Sequence, residues 1–175
     1  MNVLSKFEIP FKGLSEGTHR YEYEISDSFF DAIDDSYVER GQLTALVTLE
    51  KQHNMMQIQF AIHGTLLLTC DRCLDPFEFP VDIQETLIVK VGEQREEESE
   101  NVLVIANTEY KLILWHHIYE YISLQVPYRK VHPLDERGES TCNVAQLNLL
   151  QKLNEEKQAD PRWEALKKLK FDDKQ

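Results

Sequence analysis

Apolar and polar residues alternate with a period of two over much of this chain, the pattern of half-buried strands. From Gly41 onward Leu43, Ala45, Val47 and Leu49 take one side, with Thr44, Leu46, Thr48 and Glu50 on the other. A polar turn at residues 51–54 reverses the chain, and the longest alternation follows. Met56, Ile58, Phe60, Ile62, Gly64, Leu66, Leu68 and Cys70 share one face; Gln57, Gln59, Ala61, His63, Thr65, Leu67 and Thr69 share the other. At about 3.3 Å per residue such a run spans roughly 45 Å, and Gly64 at its middle predicts a bend or bulge. Phe77, Phe79, Val81, Ile83, Leu87, Val89 and Val91 resume the pattern with one lapse at Glu85. The two long runs are expected to pair antiparallel across the turn CDRCLDP. Shorter alternating stretches at residues 3–11 and 19–25 predict further strands, as does VLVIA at residues 102–106, and Pro10 confines the first to an edge or a strand end.

Elsewhere the period changes. Ser26 or Asp27 can cap one or two helical turns. Leu114, Ile118, Tyr121 and Ile122 recur at helical spacing beside Trp115 and Tyr119, which predicts a buried helix over residues 110–125 that Val126-Pro127 stops. His116 and His117 are adjacent on that helix, cannot present both rings to one ion, and read as structural. Residues 92–101, GEQREEESEN, read as a solvated loop, and residues 132–140 as a second loop. Leu147, Leu150 and Leu153 mark a weak helix over residues 144–157. Asp160-Pro161, an N-cap followed by a first-turn proline, opens a short amphipathic helix carrying Trp163 and Leu166. The expected fold is therefore α+β: a strongly bent, mainly antiparallel sheet or partly closed β-barrel with one buried helix and helical C-terminal extensions. One domain over residues 1–159 is expected, followed by a tail over residues 160–175.

Composition narrows the class. The chain has 175 residues, 42% hydrophobic and 29% charged, which excludes collagenous, disulfide-dense and largely disordered classes. No run approaches the about 18 apolar residues of a membrane span, and the N-terminus lacks the apolar core of a signal peptide, so the chain reads as cytoplasmic. The formal net charge is -12, and it is uneven. Residues 151–175 hold seven Lys or Arg against six Asp or Glu, leaving a body with 12 basic and 25 acidic residues. Such a body repels polyanions, which argues against indiscriminate nucleic-acid binding.

Chemistry concentrates in three cysteines and a histidine. Cys70 and Cys73 stand two residues apart at the junction of two strands, a spacing that lets both sulfurs reach one ion. Zinc then needs two more donors; Cys142 and His132 are the candidates, with His63 and His53 as lesser substitutes. Inert, partly buried thiols are the competing reading, and the spread His-x9-Cys half does not decide between them. A redox CxxC, with Arg72 between the thiols, is a third reading. It lacks the helix that follows such motifs and lowers the thiol pKa, because Leu74-Asp75-Pro76 leads into another strand. No Gly-rich phosphate loop, HExxH or GxSxG is present, and nothing in the residues argues for an enzyme.

The run LLLTCDRCLDPFEFPV at residues 66–81, followed downstream by ISLQVPYRKVH and then a lone cysteine, resembles the YceD-like family of bacterial large ribosomal RNA subunit accumulation proteins with plant organellar relatives. Cys70, Arg72, Cys73, Leu74, Pro76 and Phe77 carry the first block, Pro127, His132 and Cys142 the second. The closing DPRWEALKKLK, from Asp160, is similar to an ending used by one branch. Some branches carry a further C-terminal cysteine cluster; here Cys142 is followed by Asn143 and Val144. The resemblance implies a non-enzymatic role in the synthesis, processing or stability of 23S ribosomal RNA and in large-subunit assembly, in a bacterial cytoplasm, and it supplies no catalytic residue. An acidic body acting in that setting suits a basic ribosomal protein or assembly factor as partner better than RNA. Should RNA be touched directly, Tyr128, Arg129 and Lys130, with Arg162, Trp163, Lys167 and Lys170, are the candidate surface, an aromatic beside cations being able to stack and neutralise phosphate.

Overall fold

A computed structural model describes residues 3–93, 96–99 and 101–155. Its centre is a mixed six-stranded sheet in the order β2-β3-β4-β5-β7-β6, and a two-stranded sheet pairs β1 with β8. The elements are β1 (Glu8–Ile9), β2 (Gly17–Ile25), α1 (Asp27–Asp31), β3 (Gly41–Lys51), β4 (Met55–Thr69), β5 (Pro76–Gly92), β6 (Glu96–Ser99), β7 (Val102–Ala106), β8 (Leu112–Ile113), α2 (Trp115–Gln125) and α3 (Val144–Glu155). All pairs are antiparallel except β5 with β7. The sheet is open, with β2 and β6 as its edges, so the expected antiparallel α+β sheet is present and the barrel alternative is not realised.

Alternation translates directly into layers. Met56, Ile58, Phe60, Ile62, Leu66 and Leu68 of β4 are buried, and their register partners Val89, Leu87, Ile83 and Phe77 on β5 bury the same face. Glu85, the one lapse, lies opposite Phe60 on this inner face and is only half buried. Of the bend or bulge expected at Gly64, the bulge does not occur, because the β3–β4 register runs through Leu43↔Gly64 without a shift. Gly64 instead takes φ +148°, and a Cβ there would overlap the Gln42 carbonyl oxygen and lie 2.6 Å from Leu43 Cα. Here only glycine lets two backbones approach so closely.

The inner face is covered by α2, which buries Ile118, Tyr121 and Ile122, and by the aromatic side chains of the N-terminal segment and α1. Phe7 meets Phe29 at 4.8 Å and Tyr23 at 5.1 Å between ring centroids, and Phe60 meets the Tyr121 ring edge-on at 5.3 Å. Each fully buried side chain of this size contributes about 1.5–3 kcal/mol, so these contacts hold the helix layer to the sheet.

Three expectations are corrected. Within residues 3–11 only Glu8–Ile9 is a strand, flanked by single 3-10 turns at Val3–Phe7 and Phe11–Gly13. The predicted helix over residues 110–125 begins at Trp115, because Leu112 and Ile113 are drawn into extended pairing with Ile9 and Glu8. Part of the acidic segment expected as a loop, Glu96–Ser99, forms an edge strand on β7. The helix predicted after Asp160 lies outside the described residues.

Candidate metal centre

Pairing of β4 with β5 continues to Thr69↔Pro76, so residues 70–75 must reverse the chain at the end of the sheet. The reversal is closed by two backbone hydrogen bonds, Cys70 N–H to Asp75 O at 3.0 Å and Leu74 N–H to Cys70 O at 2.9 Å. Leu74 takes φ +64°, a left-handed conformation that a branched aliphatic residue rarely adopts, and it is 74% exposed. Cys70 and Cys73 are both buried within the reversal.

The rest of the site comes from the chain after α2. That helix ends where Val126 turns extended at ψ 120° ahead of Pro127, the conformation a following proline favours. The chain then runs past the cysteine turn and docks on it: Asp71 N–H donates to Lys130 O at 2.7 Å, and Lys130 N–H donates to Asp71 Oδ2 at 2.7 Å. This clasp places His132, whose ring packs on Phe77 at 5.1 Å between centroids. A loop closed by a Leu134–Ser140 bridge follows and returns with Cys142 buried beside the other thiols; Asn143 Nδ2 donates to Asp75 Oδ2 at 2.9 Å.

Four donors from three segments thus meet. Their ligand atoms, one from each of Cys70, Cys73, His132 and Cys142, all lie within 4.8 Å of one another, and the group could hold a metal ion. Cys70 Sγ is 3.8 Å from Cys142 Sγ, Cys73 Sγ is 3.4 Å from His132 Nδ1, and Cys142 Sγ is 3.8 Å from the same nitrogen. Burial pushes the Cys70 thiol up, but the backbone N–H groups of Cys73 and Arg72, with His132, outweigh it and bring the thiol down to about 6. For Cys73 burial prevails and holds the thiol above its ordinary value, against N–H groups of Asn143 and Asp75.

The lesser histidines are not brought here. His63 is exposed on the outer face of β4, and His53 is exposed against Glu16 at 3.6 Å. His116 stacks on Trp115 at 3.4 Å, and His117 faces Tyr121 at 6.3 Å. Of the proposed RNA-facing residues, Tyr128 and Arg129 are exposed, whereas Lys130 lies over the Tyr37 ring at 5.1 Å and serves the clasp through its backbone. Arg162, Trp163, Lys167 and Lys170 lie outside the described residues. Sequence reasoning missed Asp71, Asp75 and Asn143, although short acceptor side chains beside a tight turn are a usable signal for local backbone bonding.

No helix among the described residues is long and apolar enough to cross a membrane. No curated protein and no solved structure matches the chain. Residues 58–170, which include the cysteine turn, the helix α2 and the returning Cys142, match the family described as Large ribosomal RNA subunit accumulation protein YceD, and the chain belongs to that family.

Proposed function

We infer that this protein supports the accumulation of 23S ribosomal RNA and assembly of the large ribosomal subunit in a bacterial cytoplasm, without catalysis, by gripping a basic ribosomal protein or assembly factor. Family membership supports the ribosomal setting. The observation that carries the mode of action is the outer face of the sheet, which no described element covers. The register sets Glu22, Glu24, Glu50, Glu78 and Asp82 on it, all exposed, against Arg20 and Lys90. Between these charges the face offers Leu46, Thr48, Gln59, Ala61, Gln84 and Thr86, which line a shallow concavity of polar and apolar groups. An acidic rim around such a surface speeds encounter with a cationic protein and repels phosphate.

The test is affinity capture of the purified chain from a bacterial lysate, with and without ribonuclease, reading bound protein and bound RNA. A basic large-subunit ribosomal protein retained after ribonuclease, and lost from a Glu22→Lys/Glu24→Lys/Asp82→Lys variant, is the expected result. Recovery of 23S precursor alone, abolished by ribonuclease, by raised salt and by Arg129→Ala, would replace this reading with direct RNA binding through the exposed Tyr128 and Arg129.

A further inference from the structure

We propose that the cavity between α2 and the inner face of β5 and β7 binds an alkylammonium group, carried by a lysine side chain or by a polyamine, through Glu85, Glu120 and Tyr121. This cavity lies on the opposite side of the sheet from the acidic outer face, so the inference goes beyond the reading above and does not depend on it.

The elements build the cavity by their own periods. His117, Glu120, Tyr121 and Leu124 stand three, four and seven residues along α2 from the first, which sets them on one stripe of the helix, beside the buried Ile118 and Ile122. Glu85 and Leu87, two apart on β5, point to the same side of the sheet. With Leu103 of β7 these side chains line a space of about 600 Å³, within the about 300–1,000 Å³ of ordinary ligand sites. No Lys or Arg is among its described lining residues.

Two polar groups in this space have no use within the fold. Glu85 interrupts an otherwise apolar inner register, opposite Phe60 and between the buried Ile83 and Leu87. It is half buried, and among the described residues it has no hydrogen bond or ion pair. A carboxylate drawn out of water without a counter-charge is unfavourable, and a leucine would complete the layer. Tyr121 is 7% exposed, and its hydroxyl is buried without a hydrogen-bond partner. After burial, the charges of Glu85 and Glu120 are what push this phenol up, so both carboxylates stand near the unpartnered oxygen. A cation placed among the three groups would satisfy all of them.

The shape of the site selects the kind of cation. Its acceptors are three separate groups on two elements and not the paired oxygens of one carboxylate. A compact ammonium with three donors suits them better than the planar fork of a guanidinium. Leu87 and Leu103 are buried walls, while Leu124 is 75% exposed at the rim. Apolar walls leading to an acidic end fit a methylene stem that carries its charge at the tip.

The experiment titrates the full isotope-labelled chain, followed by NMR, with Nα-acetyl-lysine methylamide, with spermidine, and with the norleucine analogue that lacks the ammonium. An ammonium probe should give saturable shifts confined to residues 85–87, 101–103 and 117–124, and the norleucine analogue should give none. Glu85→Gln should weaken binding by about tenfold or more, the share of one charge-assisted hydrogen bond. Glu39→Gln, the same change of charge at an exposed position elsewhere, should leave it unaltered. Because Glu85 has no partner to lose, Glu85→Gln should keep the urea midpoint of the unaltered chain, and titration of the unaltered chain reads the site whether or not a variant folds. Tighter binding of spermidine than of the lysine probe assigns a polyamine; the lysine probe binding as tightly or more tightly assigns a protein side chain. Absence of saturable shifts at the cavity with either ammonium probe up to about 20 mM, well above the range of a specific site, overturns the proposal. Equal binding of the norleucine analogue, or of a folded Glu85→Gln chain, overturns it as well.

Discussion

Replacing Gly64 by alanine tests the central packing argument, that at Gly64 the paired backbones of β3 and β4 lie too close for a side chain. Two effects add. An L-residue held at φ +148° is in a region populated almost solely by glycine, at about 1–3 kcal/mol. The added methyl would overlap the Gln42 carbonyl oxygen and lie 2.6 Å from Leu43 Cα; both are backbone, so relief means separating two paired strands, an overpacking penalty of about 1–3 kcal/mol. The smaller entropy of the unfolded alanine chain returns about 0.4–1 kcal/mol. The net expectation is a loss of about 1–5.6 kcal/mol, a large fraction of the about 5–15 kcal/mol typical of a domain. Urea unfolding followed by circular dichroism reads it: at a slope of about 2 kcal/mol per M the midpoint should fall by about 0.5–2.8 M. Gly13→Ala is the control, since nothing lies within 4 Å of a Cβ there and its φ is ordinary; it should move stability by under about 1 kcal/mol. A Gly64→Ala midpoint within the range of that control would refute the close-approach reasoning.

The Tyr121 hydroxyl is buried without a hydrogen-bond partner, so Tyr121→Phe should leave urea stability unchanged or raise it by up to about 1 kcal/mol; a clear loss would mean that the hydroxyl is paired. Burial, then Glu85 and Glu120, pushes Tyr121 up from 10 to about 12. A group raised on folding stabilises fully below its unfolded value, so this contribution should be intact below pH 10 and lost as pH rises through 12. Stability measured across that interval should fall less steeply in Tyr121→Phe than in the unaltered chain. Ile122→Ala, at a fully buried position of α2, should lower stability by about 2–5 kcal/mol in chemical unfolding. Asn143→Ala removes the cap on Ala145 N–H and should weaken α3 by about 1 kcal/mol, seen as faster amide exchange confined to that helix.

The inward faces of β3, β4 and β5 were legible because a strand's side chains alternate whatever their partners, so Leu43 through Val89 declared which side is buried. The antiparallel hairpin around Cys70 and Cys73 was legible for the same reason, two alternating runs meeting at a short polar turn. Where local pattern and tertiary pairing disagree, the pattern loses. The helix was expected from residue 110, yet Leu112 and Ile113 are extended because Glu8 and Ile9, a strand the alternation at residues 3–11 did announce, pair with them at a distance no local signal gives. Gly64 invited a bend or bulge because a glycine in a strand has several uses, and only its pairing with β3 shows the close approach it permits here. Cysteine spacing alone named Cys70 and Cys73 as a pair, since two intervening residues suffice to converge their sulfurs. That His132 and not His53 or His63 stands beside them was decided by the Asp71–Lys130 clasp and the loop that returns Cys142. Long-range meetings of this kind depend on how an entire helix lies across a sheet, which is a property of the packed whole and not of any stretch of the chain.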